Sequence, residues 1–123
     1  MNYQHKIITV EQALALVKTG DVIVSGMVAA EGREFLSKLH TIPLEVENIT
    51  VTNCLPILDA PFFTEAEYAH RFKVDSWFLS GALRKAMKHG NIRYIPNHLH
   101  QAATRRLDHM NTDIYIGNAT PPN

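Results

Sequence analysis

Apolar and polar positions along this chain alternate between the spacing of helices and the compact β-branched runs of strands. Val10, Ala13, Leu14 and Val17 fall at i, i+3, i+4 and i+7, one apolar stripe of a helix. Thr9 with Gln12 three residues on makes a capping box at its start. Gly20 closes it, because a left-handed terminal residue costs glycine little. Val22-Ile23-Val24 is then a β-branched run that suits a strand buried on both faces. Ser25 to Gly32 turns small and flexible, and Arg33 to His40 resumes a helical pattern before Pro43 breaks it.

The same reading continues to the end of the chain. Ile49–Asn53 is a second strand, and Asp59-Ala-Pro-Phe-Phe63 is a loop holding a proline. Thr64 with Glu67 forms a second capping box, opening a short helix through His70. Ser76–Leu79 is a third strand. Ala82, Leu83, Ala86 and Met87 make a helical stripe stopped by Gly90. Tyr94-Ile95 is a short strand ended by Pro96, Leu99 to Leu107 is helical, and Ile114–Gly117 is the last strand. Strands alternate with helices throughout. The expected fold over residues 1–123 is therefore a single α/β domain with an open, mainly parallel sheet and helices on both faces. Each strand runs out into a small or polar loop: Ser25-Gly26, Cys54-Leu55, Ser80-Gly81, Pro96-Asn97-His98 and Gly117-Asn118. In a parallel sheet those loops share one edge, and a cleft there follows from topology.

Composition narrows the class. The chain has 123 residues, 46% of them apolar, enough for one core and not two. Twelve Lys and Arg balance twelve Asp and Glu, so the basic excess of a nucleic-acid binder is missing. Met1 to Lys6 is polar and Ile7-Ile8 is too short for a signal peptide, which makes a cytoplasmic location the expectation. No apolar run is long enough to span a bilayer, so no membrane partner is expected. The single cysteine, Cys54, excludes an intrachain disulfide and fits a reducing compartment.

None of the candidate motifs completes a catalytic set. Gly32 is followed by Arg33-Glu34 where a phosphate-binding loop needs Lys-Ser/Thr, and the dinucleotide pattern is also absent. His98 and His100 point apart on a helix, so they share a metal only from extended chain, and no Cys or carboxylate cluster nearby completes a set. No metal site is expected. Glu31 is either a loop carboxylate available as nucleophile or base, or an acidic residue favoured by the following helix dipole. Cys54 reads as a small buried hydrophobe, and Arg105-Arg106 as either a phosphate grip or a solvated pair. Composition and spacing reach an α/β domain with a cleft at its strand ends.

Three segments carry more. Gly26-Met-Val-Ala-Ala-Glu-Gly-Arg-Glu-Phe-Leu36, Tyr94-Ile-Pro-Asn-His-Leu-His100 and Asp113-Ile-Tyr-Ile-Gly-Asn-Ala-Thr-Pro-Pro122 together resemble the acetyl-CoA hydrolase/transferase family. Gly20-Asp21 and the stretch from Trp77-Phe78 to Arg84-Lys85 support the likeness, which runs from about Thr9 to the last residue. The resemblance implies CoA-transferases and thioester hydrolases built from two similar α/β halves, of which this chain matches the first. The nucleophilic glutamate and the glycine-rich oxyanion loop of such enzymes lie in the second half. Glu31 is therefore not assigned that role, and no catalytic residue is expected here. The family continues beyond the Thr120-Pro121-Pro122 segment, so a chain ending at Asn123 is expected to be a fragment, a truncated form or one partner of a split enzyme.

Two functions follow from this reading. In the first, the domain shapes the acyl and carboxylate cleft of an acyl-CoA:carboxylate CoA-transferase or acetyl-CoA hydrolase and is inactive alone. Gly26, Met27, Val28 and Ala29 would line the cleft with backbone, Asn97 and His98 would offer polar groups, and Asn118 and Ala119 would complete the rim. Its ligands would be a coenzyme A thioester and a small carboxylate as substrates, with no tightly bound cofactor. Its partner would be a second copy or a second CoA-transferase half. Leu55, Pro56, Phe62 and Phe63 are candidates for that docking surface, or else they fold back onto the core. In the second function, the same cleft serves a non-catalytic small-molecule or partner-binding domain.

Overall fold

A computed structural model describes residues 3–101 and 111–120. Five strands are described: β1 (Val22–Ser25), β2 (Ile49–Asn53), β3 (Phe72–Ser76), β4 (Ile92–Tyr94) and β5 (Ile114–Ile116). They form one sheet in the order β4-β3-β2-β1-β5, with every neighbouring pair parallel. The helices are α1 (Val10–Leu14), α2 (Arg33–Lys38), α3 (Pro61–Thr64) and α4 (Gly81–Ala86). The open parallel α/β sheet is the one the alternation of elements predicts.

Register explains which face carries the core. Ile23 is level with Val51 and Ile114, Val51 with Val74, and Val74 with Ile92, so one apolar rung crosses all five strands. Side chains two apart share a face, which adds Ile49 and Phe72 to it. α1 packs on α2, α2 on α3 and α3 on α4 as one connected layer. Three successive crossovers stepping in one direction put their helices on one side of a sheet. The alternate rung runs Tyr115, Val24, Thr52, Asp75, Arg93 and is mixed in polarity. β1 is accordingly fully buried at Ile23 and Ser25 and half-buried at Val22 and Val24, so it is not buried on both faces as its composition predicts. The β4–β5 connection passes through residues 102–110, outside the described residues; the helix expected to reach Leu107 and the Arg105-Arg106 pair fall there.

Two buried charges hold the framework. Asp75, fully buried, accepts from Arg93 Nε at 2.6 Å and Nη2 at 3.0 Å, a two-pronged pair that fixes the register of β3 on β4. Arg71 is also buried and donates to the carbonyls of Ile42, Pro43 and Val46, with its guanidinium over the Phe72 ring at 5.4 Å. It satisfies carbonyls of the turn entering β2 that have no strand partner.

Several predicted elements move, and α1 already ends at Leu14, well before Gly20. The third strand is Phe72–Ser76 rather than Ser76–Leu79, because Phe72 and Val74 are buried in the core, while Trp77 and Phe78, which donate to the carbonyls of Asn53 and Cys54 just past the strand, are half-buried and exposed. The short fourth strand is Ile92–Tyr94, so Ile95 already lies past its end. Asp59–Phe63 is not all loop: Pro61 opens α3 at its first position, where a missing N–H matters least, and Phe62 and Phe63 enter the core. Thr64 then ends that helix, its hydroxyl donating to Ala60 O, and does not cap the turn at Ala66–Tyr68. Pro56 is buried and Leu55 half-buried, so Leu55, Pro56, Phe62 and Phe63 fold back onto the domain instead of forming an open docking surface.

Candidate functional site

β1 lies between β2, its sequence neighbour, and β5, the last strand, so the strand order reverses beside it although all strands run parallel. A crevice at the carboxyl ends of such strands is where open α/β sheets place ligands. The β1 loop, residues 26–32, is built to a tight geometry there. Gly26 N donates to Ile116 O at 2.7 Å, and Ser25 Oγ donates to Gly26 O at 2.9 Å. A Cβ on Gly26 would stand 2.1 Å from Ala30 O and 2.7 Å from Ala30 C, so the loop folds over a position only glycine fits. Val28 has φ of 53°, a left-handed conformation uncommon for a β-branched residue and worth about 1–3 kcal/mol of strain. It is held by Val28 N to Leu55 O at 3.3 Å and Glu31 N to Val28 O at 3.2 Å.

The β5 end closes the other side. Asn118 N donates to Ala30 O at 3.1 Å and Asn118 Nδ2 to Ala29 O at 2.9 Å. Glu31 and Gly117 form an isolated antiparallel bridge. Gly26, Met27, Val28, Ala29 and Asn118 are thus brought together, with Ala119 next in the chain and exposed. Asn118 holds the loop by its amide nitrogen.

Asn97 and His98 stand elsewhere. They follow β4, which three strand spacings, about 14 Å, separate from β1. They share the carboxyl edge without adjoining the β1 loop, so the three loops do not lie side by side. His98 stacks on His100 with ring centroids 5.6 Å apart, both exposed. Among the described residues, no group of three His, Cys, Asp or Glu is placed to hold a metal ion. A surface groove of about 330 Å³ opens between α3 and α4, lined by Asp59, Thr64, Lys85, Lys88 and His89.

The loop after β2 is the neighbour that sequence reasoning missed. Glu31 is 1% exposed and reaches into it: Oε1 accepts from Asn53 Nδ2 at 3.2 Å, and Oε2 from Ile57 N at 3.2 Å and Leu58 N at 3.1 Å. A cavity of about 10 Å³, the size of one water, lies beside Glu31, Asn53, Leu58 and Phe62. Consecutive strands of a parallel sheet are usually neighbours, and that rule pointed to residues 54–60 rather than 96–98.

A family model for the acetyl-CoA hydrolase/transferase N-terminal domain matches residues 1–121. The chain belongs to this family. A succinyl-CoA:cyclohexane-1-carboxylate CoA transferase of Geobacter metallireducens is 29% identical over 112 residues, 91% of this chain and 25% of that protein. RipA from Yersinia pestis superposes with a TM-score of 0.71 at 24% identity, covering 81% of this chain and 26% of that one. A methionine-to-glycine variant of RipA reaches a TM-score of 0.77 at 21% identity, over 94% of this chain and 28% of that one. At those identities the likeness to RipA is one of fold. The chain spans about a quarter of the length of these relatives.

In this acetyl-CoA hydrolase/transferase domain Cys54 sits at the carboxyl end of β2, buried, and desolvation raises its thiol pKa. A thiol harder to ionise in the fold than in the open chain stabilises the fold fully below its unfolded pKa. That contribution is lost as pH rises toward the folded pKa, since the unfolded state then releases its proton first. Iodoacetamide at neutral pH should therefore label Cys54 at least about tenfold more slowly in the native domain than in urea. Equal rates would place the thiol in solvent.

Proposed function

We propose that the domain forms the acyl-facing wall of an acyl-CoA:carboxylate CoA-transferase or acetyl-CoA hydrolase, with the attacking glutamate supplied by another part of the enzyme. The observation that carries this reading is the fusion of the β1, β2 and β5 loops into one rigid rim at the sheet's carboxyl edge, in a chain of this family. Among the described residues, neither the Met27 nor the Ala29 N–H has a backbone acceptor, so both are available as donors toward a thioester oxygen. Glu31 is enclosed by N–H donors and cannot meet a substrate carbonyl without the rim opening.

Under this reading the substrates are a coenzyme A thioester and a small carboxylate, and no cofactor is held tightly. Met27, Ile57, Phe78, Tyr94 and Leu99 leave 46 to 60% of their surface exposed at or just beyond the carboxyl ends of β1 to β4. That apolar edge is the surface against which a second CoA-transferase half, or a second copy in an oligomer, would close the cleft. The reading includes a cytoplasmic location, as the family resemblance implies; among the described residues no helix is long and apolar enough to cross a membrane. Family membership gives the non-catalytic alternative no added support.

The test is direct. The 123-residue chain incubated with acetyl-CoA, with and without acetate, should release no CoA above the buffer control. Turnover that Glu31→Gln abolishes would overturn the proposal and make Glu31 the nucleophile.

A further inference from the structure

We infer that Glu31 is a positioning residue: the reach of its side chain, not its charge, sets the spacing between the β1 and β2 loops that form the acyl wall. This rests on the acyl-wall reading for its consequence in turnover, but its structural part stands alone.

Three loops meet in this one residue. Its N–H donates to Val28 O at 3.2 Å, which holds the left-handed turn of the β1 loop. Its bridge to Gly117 joins the β5 end. Its carboxylate accepts both consecutive amides of the β2 loop, Ile57 N and Leu58 N, on one oxygen, and the Asn53 amide on the other. Met27 and Ile57, exposed on the two loops so joined, are the apolar groups whose separation this clamp fixes. No Lys or Arg pairs with Glu31 among the described ion pairs. The site therefore uses its acceptor oxygens and its length.

That distinction can be separated by substitution, because Asn53 offers a ready exchange. Its Oδ1 is buried and without a hydrogen-bond partner. In Glu31→Gln, the side-chain carbonyl can accept the Ile57 and Leu58 amides while the new NH₂ faces Asn53. A turn of the Asn53 amide by half a revolution then presents Oδ1 as acceptor. The number of bonds is kept and the charge is lost. Glu31→Asp does the reverse, keeping the charge but shortening the side chain by one methylene, about 1.5 Å. An amide–oxygen contact stretched by that amount is no longer a hydrogen bond.

Amide hydrogen exchange on the 123-residue chain reads the clamp without any activity. Glu31→Asp should speed exchange at Ile57 and Leu58 by about tenfold or more, while Glu31→Gln stays within about threefold of wild type. The amides of β2 and β3 should keep wild-type rates in both. In the longer enzyme of the proposal, this domain joined to the half that supplies the attacking glutamate, Glu31→Asp should raise KM for acyl-CoA by about tenfold, and Glu31→Gln should leave kcat and KM close to wild type. The inference is overturned if the order is reversed, with aspartate tolerated and glutamine not, since charge would then be what the site uses. It is equally overturned if Glu31→Asp leaves Ile57 and Leu58 protected, or speeds every amide alike. A longer enzyme with no acyl-CoA turnover would remove the functional reading alone, because the exchange pattern would still decide the clamp.

Discussion

Gly26→Val in the longer enzyme is expected to lower kcat/KM by about 100-fold or more while the sheet remains folded. The added Cβ would lie 2.1 Å from the backbone oxygen of Ala30, so the peptide at Ala30 has to move. Ala30 O accepts the Asn118 amide, and Ala30 precedes the clamp residue Glu31, so the displacement spreads into both neighbouring loops. β1 itself is anchored by its ladders to β2 and β5 and does not depend on this turn. Steady-state kinetics beside a thermal melt separate the two effects. A variant with wild-type turnover would show that the rim plays no part in the chemistry. His98→Ala, three strands away, is expected to impair turnover only modestly.

Phe62→Ala should destabilise the domain by about 3–5 kcal/mol, the range for truncating a buried aromatic. Phe62 is 3% exposed, meets Phe63 edge-on at 5.2 Å and lies 5.7 Å from the Phe72 ring. It borders the small cavity beside Glu31, so truncation would enlarge a void that is already there. Domains of this kind retain about 5–15 kcal/mol in total, so the loss would be evident as a large fall in the urea midpoint. A change under about 1 kcal/mol would return Phe62 to the surface, where the apolar stretch around it was one candidate for docking.

Local signals in this sequence were legible where the chemistry is local. The Thr9 box forms with both of its bonds, Gln12 N to Thr9 Oγ1 at 3.2 Å and Thr9 N to Gln12 Oε1 at 2.8 Å. Gly90 takes φ of 80° where it ends the helical stretch after α4, as expected, whereas α1 stops at Leu14 with Ala15 as its cap and Gly20, at φ 88°, lies in the turn before β1 instead of closing that helix. The Thr64 box failed because Pro61 had already nucleated a turn upstream and drawn the Thr64 hydroxyl back to Ala60. The third strand was displaced because Trp77-Phe78-Leu79 is more apolar than Phe72-Lys-Val-Asp-Ser76, although the latter alternates as a strand with a more polar second face should. At the site, the glycine-flanked β1 loop and its contact with Asn118 were accessible from strand–loop order. The distance of Asn97 and His98 was not, since it depends on strand order across the sheet. Nor was the role of Glu31, whose three donors come from residues 22 to 27 positions away.

A crystal structure of the longer enzyme with a bound acyl-CoA tests the central claim most directly. The account predicts the acyl carbonyl against the Met27–Ala29 backbone, with the attacking carboxylate contributed from outside residues 1–123. An acyl group bound away from the β1 loop, or attacked by Glu31, would contradict it.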